Sequence, residues 1–210
     1  MLNIVAILRS INIDNIRSKF TYYHMIKVLD LIERLGPMGR HNISKILGIG
    51  EGSARNLIRR LNSIGLVSID PIAGVILTEK GKEILVEWRR HVSSSCVENI
   101  DIINWKYASI SKISSETREI LMRNRNIIDL RDELVKKGCL GGLFIEVQGD
   151  KVMLLNTRGE PDYDISRTNT GEIIKNNCEG FCIVSGSDKN CLAAEFCIWE
   201  LLIEIFLKES

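Results

Sequence analysis

The chain has 210 residues, enough for two small domains that each bury a core. It lacks a run of about 18 or more apolar residues, which excludes a membrane-spanning helix, and its apolar start lacks signal-peptide features, so we expect a cytoplasmic protein. The net charge of +1 conceals an asymmetry: residues 18–91 carry twelve Lys and Arg against seven Asp and Glu, whereas residues 92–210 carry fourteen against nineteen. We therefore expect only the first half to contact a polyanion.

The first third of the chain has helical periodicity interrupted by one hairpin signal. The first helix has an apolar stripe formed by Met25, Val28, Leu29, Ile32 and Leu35. Two β-branched runs flank the turn Asp70–Gly74, which predicts a hairpin. The predicted elements are helices over 21–35, 43–47 and 51–64, strands over 66–69 and 75–77, and a helix over 79–91. This order is typical of a winged helix–turn–helix.

The remainder of the chain predicts a second unit of mixed composition. Residues 93–125 begin with three serines and show no clean period, which indicates a linker. The elements predicted beyond it are a helix over 126–138, a hairpin of 143–147 and 152–155, a loop over 156–180, a strand over 181–184 and a helix over 190–207. We therefore predict an α+β protein, with a winged helix domain over 1–92 and a small α+β regulatory or dimerisation domain over 126–210 whose short sheet is covered by helices. Residues 93–125 are left as a linker or a segment of uncertain structure.

The segment 42–67 resembles the helix–turn–helix of bacterial and archaeal transcription regulators. Leu47-Gly48-Ile49 matches the turn, and Ala54 fills the small buried position of the recognition helix. The run 77–81, Leu-Thr-Glu-Lys-Gly, resembles the element that follows the wing in many such regulators. Residues 36–85 look most like the N-terminal domain of the bacterial central glycolytic gene regulator, and the C-terminal half resembles an uncharacterised archaeal domain that follows a winged helix. The resemblance implies a transcriptional regulator that binds double-stranded DNA. We expect no catalytic activity and no cofactor.

The residues predicted to contact DNA follow from this geometry. An α-helix in the major groove reads base edges, whereas flanking cations hold phosphates. On the recognition helix Arg suits guanine and Asn suits adenine, but the acidic turn at Asp70 predicts little minor-groove insertion by the wing. The candidates are Arg40, His41, Lys45, Ser53, Arg55, Asn56, Arg59 and Arg60. Since such regulators read two half-sites, we expect a homodimer that pairs through its apolar final helix or its apolar N-terminal segment.

The second unit leaves several interpretations open. Ser185, Ser187 and Lys189 precede a helix and are candidates for a small anionic effector, with helix capping or a ligand-free dimerisation domain as alternatives. The chain lacks common phosphate-loop, zinc-protease and hydrolase motifs, so we expect no enzyme. Because a winged helix also occurs fused to small-molecule kinases and in protein-interaction modules, a kinase-like enzyme or an interaction module fused to a winged helix is the alternative function. We expect the six cysteines to be buried free thiols and predict no metal site, although disulfides or a metal at Cys178 and Cys182 remain open.

Overall fold

The computed structural model describes residues 8–9 and 20–208 and contains two compact units, with the boundary between Arg89 and Arg90. The first unit is mostly helical and contains a two-stranded sheet. The second unit contains a six-stranded sheet with helices packed against it. The chain is therefore a mixed α/β protein.

The elements of the first unit follow the order predicted from the sequence. They are α1 (Tyr22–Leu35), α2 (Arg40–Leu47), α3 (Glu51–Ser63), β1 (Val67–Asp70), β2 (Gly74–Leu77) and α4 (Glu79–His91). Helix α2 begins earlier than predicted, because the extended N-cap residue is Gly39 and not Asn42. Leu35, predicted to belong to the buried stripe of α1, is exposed because it is the last residue of the helix.

A single hydrophobic cluster joins the helices and the hairpin of this unit. Strands β1 and β2 pair from Val67–Leu77 to Asp70–Gly74, and Met38 adds an isolated bridge to Val75 on the other side of β2. The start of α4 packs closely against the residue that precedes β1, since a Cβ on Gly81 would lie 2.2 Å from the Leu66 carbonyl oxygen. The buried members of the cluster include Met25, Leu29, Ile32, Met38, Ile43, Leu57, Ile58, Leu61, Val67 and Val75.

The second unit is built on one antiparallel sheet. Its strands are β3 (Val92–Ile100), β4 (Trp105–Ile113), β5 (Gly141–Gln148), β6 (Lys151–Leu155), β7 (Pro161–Asp164) and β8 (Gly180–Ser187). Its helices are α5 (Ser115–Met122), α6 (Ile127–Lys136), α7 (Asn169–Asn177) and α8 (Cys191–Lys208), with a 3-10 turn at Asp101–Ile103. The strand order is β3-β4-β8-β5-β6-β7. Helix α8 packs on β3, β4 and β8, whereas α6 packs on β5 and α8.

Two segments are more ordered than the sequence indicates. The predicted linker 93–125 contains β3, β4 and α5, and the predicted loop 156–180 contains β7 and α7. Polar residues hide the alternation in β3, where the Ser94 hydroxyl lies 2.7 Å from that of Ser111 and accepts a hydrogen bond at 2.9 Å from Trp199 Nε1. The sequence showed no clean period over these residues because the partners of the strands come from distant parts of the chain.

The six cysteines form three disulfides, so the prediction of free thiols was wrong. The first disulfide joins Cys96 on β3 to Cys191 at the start of α8, with a Cα–Cα distance of 5.5 Å. The second joins Cys139, which follows the turn at the end of α6, to Cys197 on α8, with a Cα–Cα distance of 6.2 Å. The third disulfide joins Cys178 to Cys182 at a Cα–Cα distance of 6.6 Å. The first two span 95 and 58 residues of sequence, and no local pattern reports such pairings.

The final helix offers little of the apolar surface predicted for a partner. Most of its large apolar side chains are buried, including Ile198, Trp199, Leu202, Ile203 and Phe206, whereas Leu192, Phe196 and Leu207 are partly exposed. The small residues at its start allow close packing on the sheet, where the Ser185 hydroxyl donates to the Ala194 carbonyl at 2.7 Å. The other predicted dimer surface, the apolar N-terminal segment, lies almost entirely outside the described residues.

Candidate nucleic-acid interface

Helices α2 and α3 are joined by a tight turn that the local sequence dictates. Gly48 ends α2 in the left-handed backbone conformation, with φ of 64°. Residues other than glycine rarely adopt this conformation. The Ser44 hydroxyl then donates to the Ile49 carbonyl at 2.7 Å, and the Ile49 amide donates to the Ser44 carbonyl at 3.2 Å. These bonds fix the direction in which α3 begins.

Helix α3 has one buried face and one polar face. Ala54, Leu57, Ile58 and Leu61 are buried, as the apolar spacing predicts. Arg55, Asn56 and Arg59 are exposed, whereas Ser53 and Arg60 are partly covered. Since residues three and four apart share a side of a helix, the structure brings Ser53, Asn56 and Arg59 onto one side.

The candidates on α2 are exposed, and one of them has an acidic partner. Arg40, His41 and Lys45 are exposed on α2. The His41 ring lies across the turn from α3, with Nδ1 3.0 Å from Glu51 Oε1. This hydrogen bond is the main cause that lowers the pKa of Glu51. Sequence reasoning missed Glu51, because only the fold brings residues ten positions apart together. The Glu51 carboxylate offsets part of the positive charge of Arg40 and Arg55.

The hairpin has a rigid tip that carries an acid and an apolar side chain. Asp70 Oδ1 accepts hydrogen bonds from the amides of Ala73 at 2.7 Å and Ile72 at 2.8 Å, which lowers the pKa of this carboxyl. The Ile72 side chain at the tip is 99% exposed. The sequence did not predict the contact made by Lys80. Its Nζ donates a hydrogen bond to the Ile64 carbonyl at 2.8 Å, at the end of α3.

The three effector candidates of the second unit do not form a common cradle. Ser185 and Ser187 are both buried, and Ser185 is engaged with the backbone of α8. The Ser187 hydroxyl accepts from the Lys189 amide at 3.1 Å, whereas Lys189 itself is exposed. Asn190 Oδ1 accepts from the Ala193 amide at 2.9 Å and so caps α8. The geometry favours the helix-capping alternative.

Two features are absent from the part of the chain that the structure describes. Among residues 8–9 and 20–208, there is no group of three or more His, Cys, Asp or Glu side chains that could hold a metal ion. In the same part of the chain, no helix is both long and apolar enough to cross a membrane.

Comparisons with known proteins identify a similar domain and a similar fold. Residues 24–83 match the family model described as PH0730-like, N-terminal domain. The hypothetical protein PH0730 from Pyrococcus horikoshii OT3 is 22% identical, with a TM-score of 0.62 over 91% of this chain and 94% of that chain. No curated protein matches the chain. The chain therefore contains a segment similar to the PH0730-like N-terminal domain, and along most of its length it shares the fold of that archaeal protein.

Proposed function

We propose that this chain is a sequence-specific regulator of transcription that binds double-stranded DNA as a homodimer through a winged helix–turn–helix. The observation that carries the proposal is the polar face of α3. Arg55, Asn56 and Arg59 are exposed on a helix whose other face is buried, directly after a tight turn from α2. In this arrangement the helix fits the major groove, with Arg suited to guanine and Asn to adenine.

The elements around α3 are consistent with this role. The hairpin β1–β2 follows α3 in the place of a wing, and Met38 forms an isolated β-bridge with Val75 beside it. Arg40 and Lys45 on α2 are exposed cations at the flank and suit phosphate contacts. The surplus of basic residues over 18–91 supports the same partner, because a DNA duplex is a dense polyanion.

For the second unit we propose dimerisation as its main role. Because Ser185 and Ser187 already make hydrogen bonds within the chain, an anionic effector at this loop has no support beyond the sequence pattern. A chromosomal partner implies a cytoplasmic location, which belongs to the same proposal. Three disulfides do not by themselves contradict this location, because some intracellular proteins, those of hyperthermophiles, carry disulfides.

The test begins by selecting bound fragments from the source genome with the purified full-length protein. Arg55→Ala is expected to cost about 1–3 kcal/mol on the selected site and to relax specificity, because one base contact is lost. Lys45→Ala is expected to weaken all sequences alike and to reduce the salt slope by about one, because one phosphate contact is lost.

Lys82→Ala provides the matched control. Lys82 is an exposed cation on α4, paired with Glu79 at 2.6 Å, and removing it changes the net charge as Lys45→Ala does. We expect this variant to bind the selected site like the wild type. Wild-type affinity in both Arg55→Ala and Lys45→Ala would refute the proposed docking.

A further inference from the structure

Helix α6 has an exposed apolar stripe in addition to its buried face. Ile127, Leu130 and Leu134 are buried, on a helix that packs against β5 and α8. Ile128 and Val135 lie on another side and are 42% and 48% exposed. These two side chains are seven residues apart, so they are two helical turns apart on the same side.

Two opposite charges lie between the two apolar residues. Arg131 and Asp132 are three and four residues after Ile128, and so belong to the same side of α6. Their side chains are 52% and 57% exposed, with 3.8 Å between Arg131 Nε and Asp132 Oδ1. The stripe therefore has apolar ends and a centre that carries one positive and one negative charge.

This pattern is complementary to itself in one orientation. When two copies of α6 lie antiparallel about a two-fold axis centred between Arg131 and Asp132, Ile128 faces Val135 of the partner subunit. In the same alignment Arg131 faces Asp132 of the partner subunit, and the symmetry repeats both contacts. A parallel pair in register would instead place like charges together. The charges of Arg131 and Asp132 therefore favour a second copy of α6 as the partner and the antiparallel alignment of the two helices.

We propose that two copies of this chain pair through the α6 stripe formed by Ile128, Arg131, Asp132 and Val135. The inference deepens the proposed function and rests on its homodimer, for which the mostly buried final helix offers little apolar surface. One pair of ten-residue helices covers less than the roughly 1,000 Å² reached by stable interfaces. The dimer is therefore expected to dissociate on dilution within the micromolar range.

Charge exchange tests the proposal on the full-length protein without DNA. Arg131→Asp and Asp132→Arg each place like charges opposite one another twice, so each should raise the dimer dissociation constant at least about tenfold. The double variant restores opposite charges and should return the constant close to the wild-type value. The measurement is sedimentation velocity from micromolar to millimolar concentration, with circular dichroism to verify that each variant is folded.

Glu119→Arg is the matched control, because Glu119 is an exposed acid on α5, outside the stripe. It should leave the dissociation constant unchanged. A wild-type monomer at millimolar concentration would overturn the proposal, and so would a dimer that tolerates both single reversals or is not restored by the double exchange. DNA affinity is measured separately on a single half-site, so a failure of DNA binding is distinguishable from a failure of dimerisation.

Discussion

Replacing Asp30 with Asn should be among the most damaging single changes in the first unit. The Asp30 side chain is only 2% exposed and is bonded to three cations: Lys27 Nζ at 3.3 Å, Arg34 Nε at 3.0 Å and Arg89 Nη2 at 2.8 Å. An Asn side chain has nearly the same size as Asp but lacks the negative charge with which Lys27, Arg34 and Arg89 pair. Because breaking a buried ion pair from one side costs about 3–5 kcal/mol, we expect a loss of that order in the free energy of unfolding.

The pH dependence of this loss has a defined sign. Burial would raise the pKa of Asp30, but hydrogen bonds and charges from Arg89, Lys27 and Arg34 outweigh it, so the pKa lies below the ordinary value of 3.8. The stabilisation by Asp30 is therefore complete above about pH 4 and is lost as the pH falls through the lowered pKa. The difference between wild type and Asp30→Asn should shrink accordingly on acidification.

Urea unfolding at pH 7 and at pH 3, followed by circular dichroism, measures both effects. Taking the difference between the two proteins cancels the contribution of His24, whose pKa burial lowers to about 4. Arg34→Ala is the comparison variant, because its side chain is 54% exposed and its pair should contribute only about 1 kcal/mol or less. An Asp30→Asn protein within about 0.5 kcal/mol of wild type at pH 7 would refute the reasoning.

Three further predictions concern stability. Gly52→Ala should stabilise the chain by about 0.5–1 kcal/mol in urea unfolding, because Gly52 lies within α3 and an added Cβ meets nothing within 4 Å. A lower free energy of unfolding in this variant would contradict the prediction. Gly186→Ala should destabilise the protein by about 1–3 kcal/mol and alter its tryptophan fluorescence, because the added Cβ would lie 2.1 Å from Trp105 Cδ2. An unchanged fluorescence spectrum and an unchanged urea midpoint would count against this packing. Removing the Cys139–Cys197 disulfide by double Ser substitution should lower the free energy of unfolding by about 4 kcal/mol, because the bond closes a loop with a sequence separation of 58. The difference from wild type should largely vanish in dithiothreitol, and equal stability without reductant would argue against the disulfide.

Much of the first unit follows from local sequence. Apolar spacing in α3 predicted which side is buried, because a helix repeats every 3.6 residues whatever its neighbours are. In α1 the predicted Met25, Val28, Leu29 and Ile32 are buried, but so are Lys27 and Asp30 on other sides of the helix. Gly48 and the turn at Asp70–Gly74 marked the ends of elements, because few residues adopt those backbone conformations. The exposure of Arg55, Asn56 and Arg59 follows from the same periodicity.

Other features depended on contacts between distant residues, which local periodicity does not encode. Strand β3 is polar along much of its length and becomes recognisable as a strand only beside β4. The pairing of His41 with Glu51 depends on the angle of the α2–α3 turn, and the disulfide from Cys139 to Cys197 depends on where α8 lies on the sheet. The apolar composition of α8 was evident from the sequence, but burial is a property of the surrounding elements. Only the tertiary structure decided that this helix is buried and that the α6 stripe remains exposed.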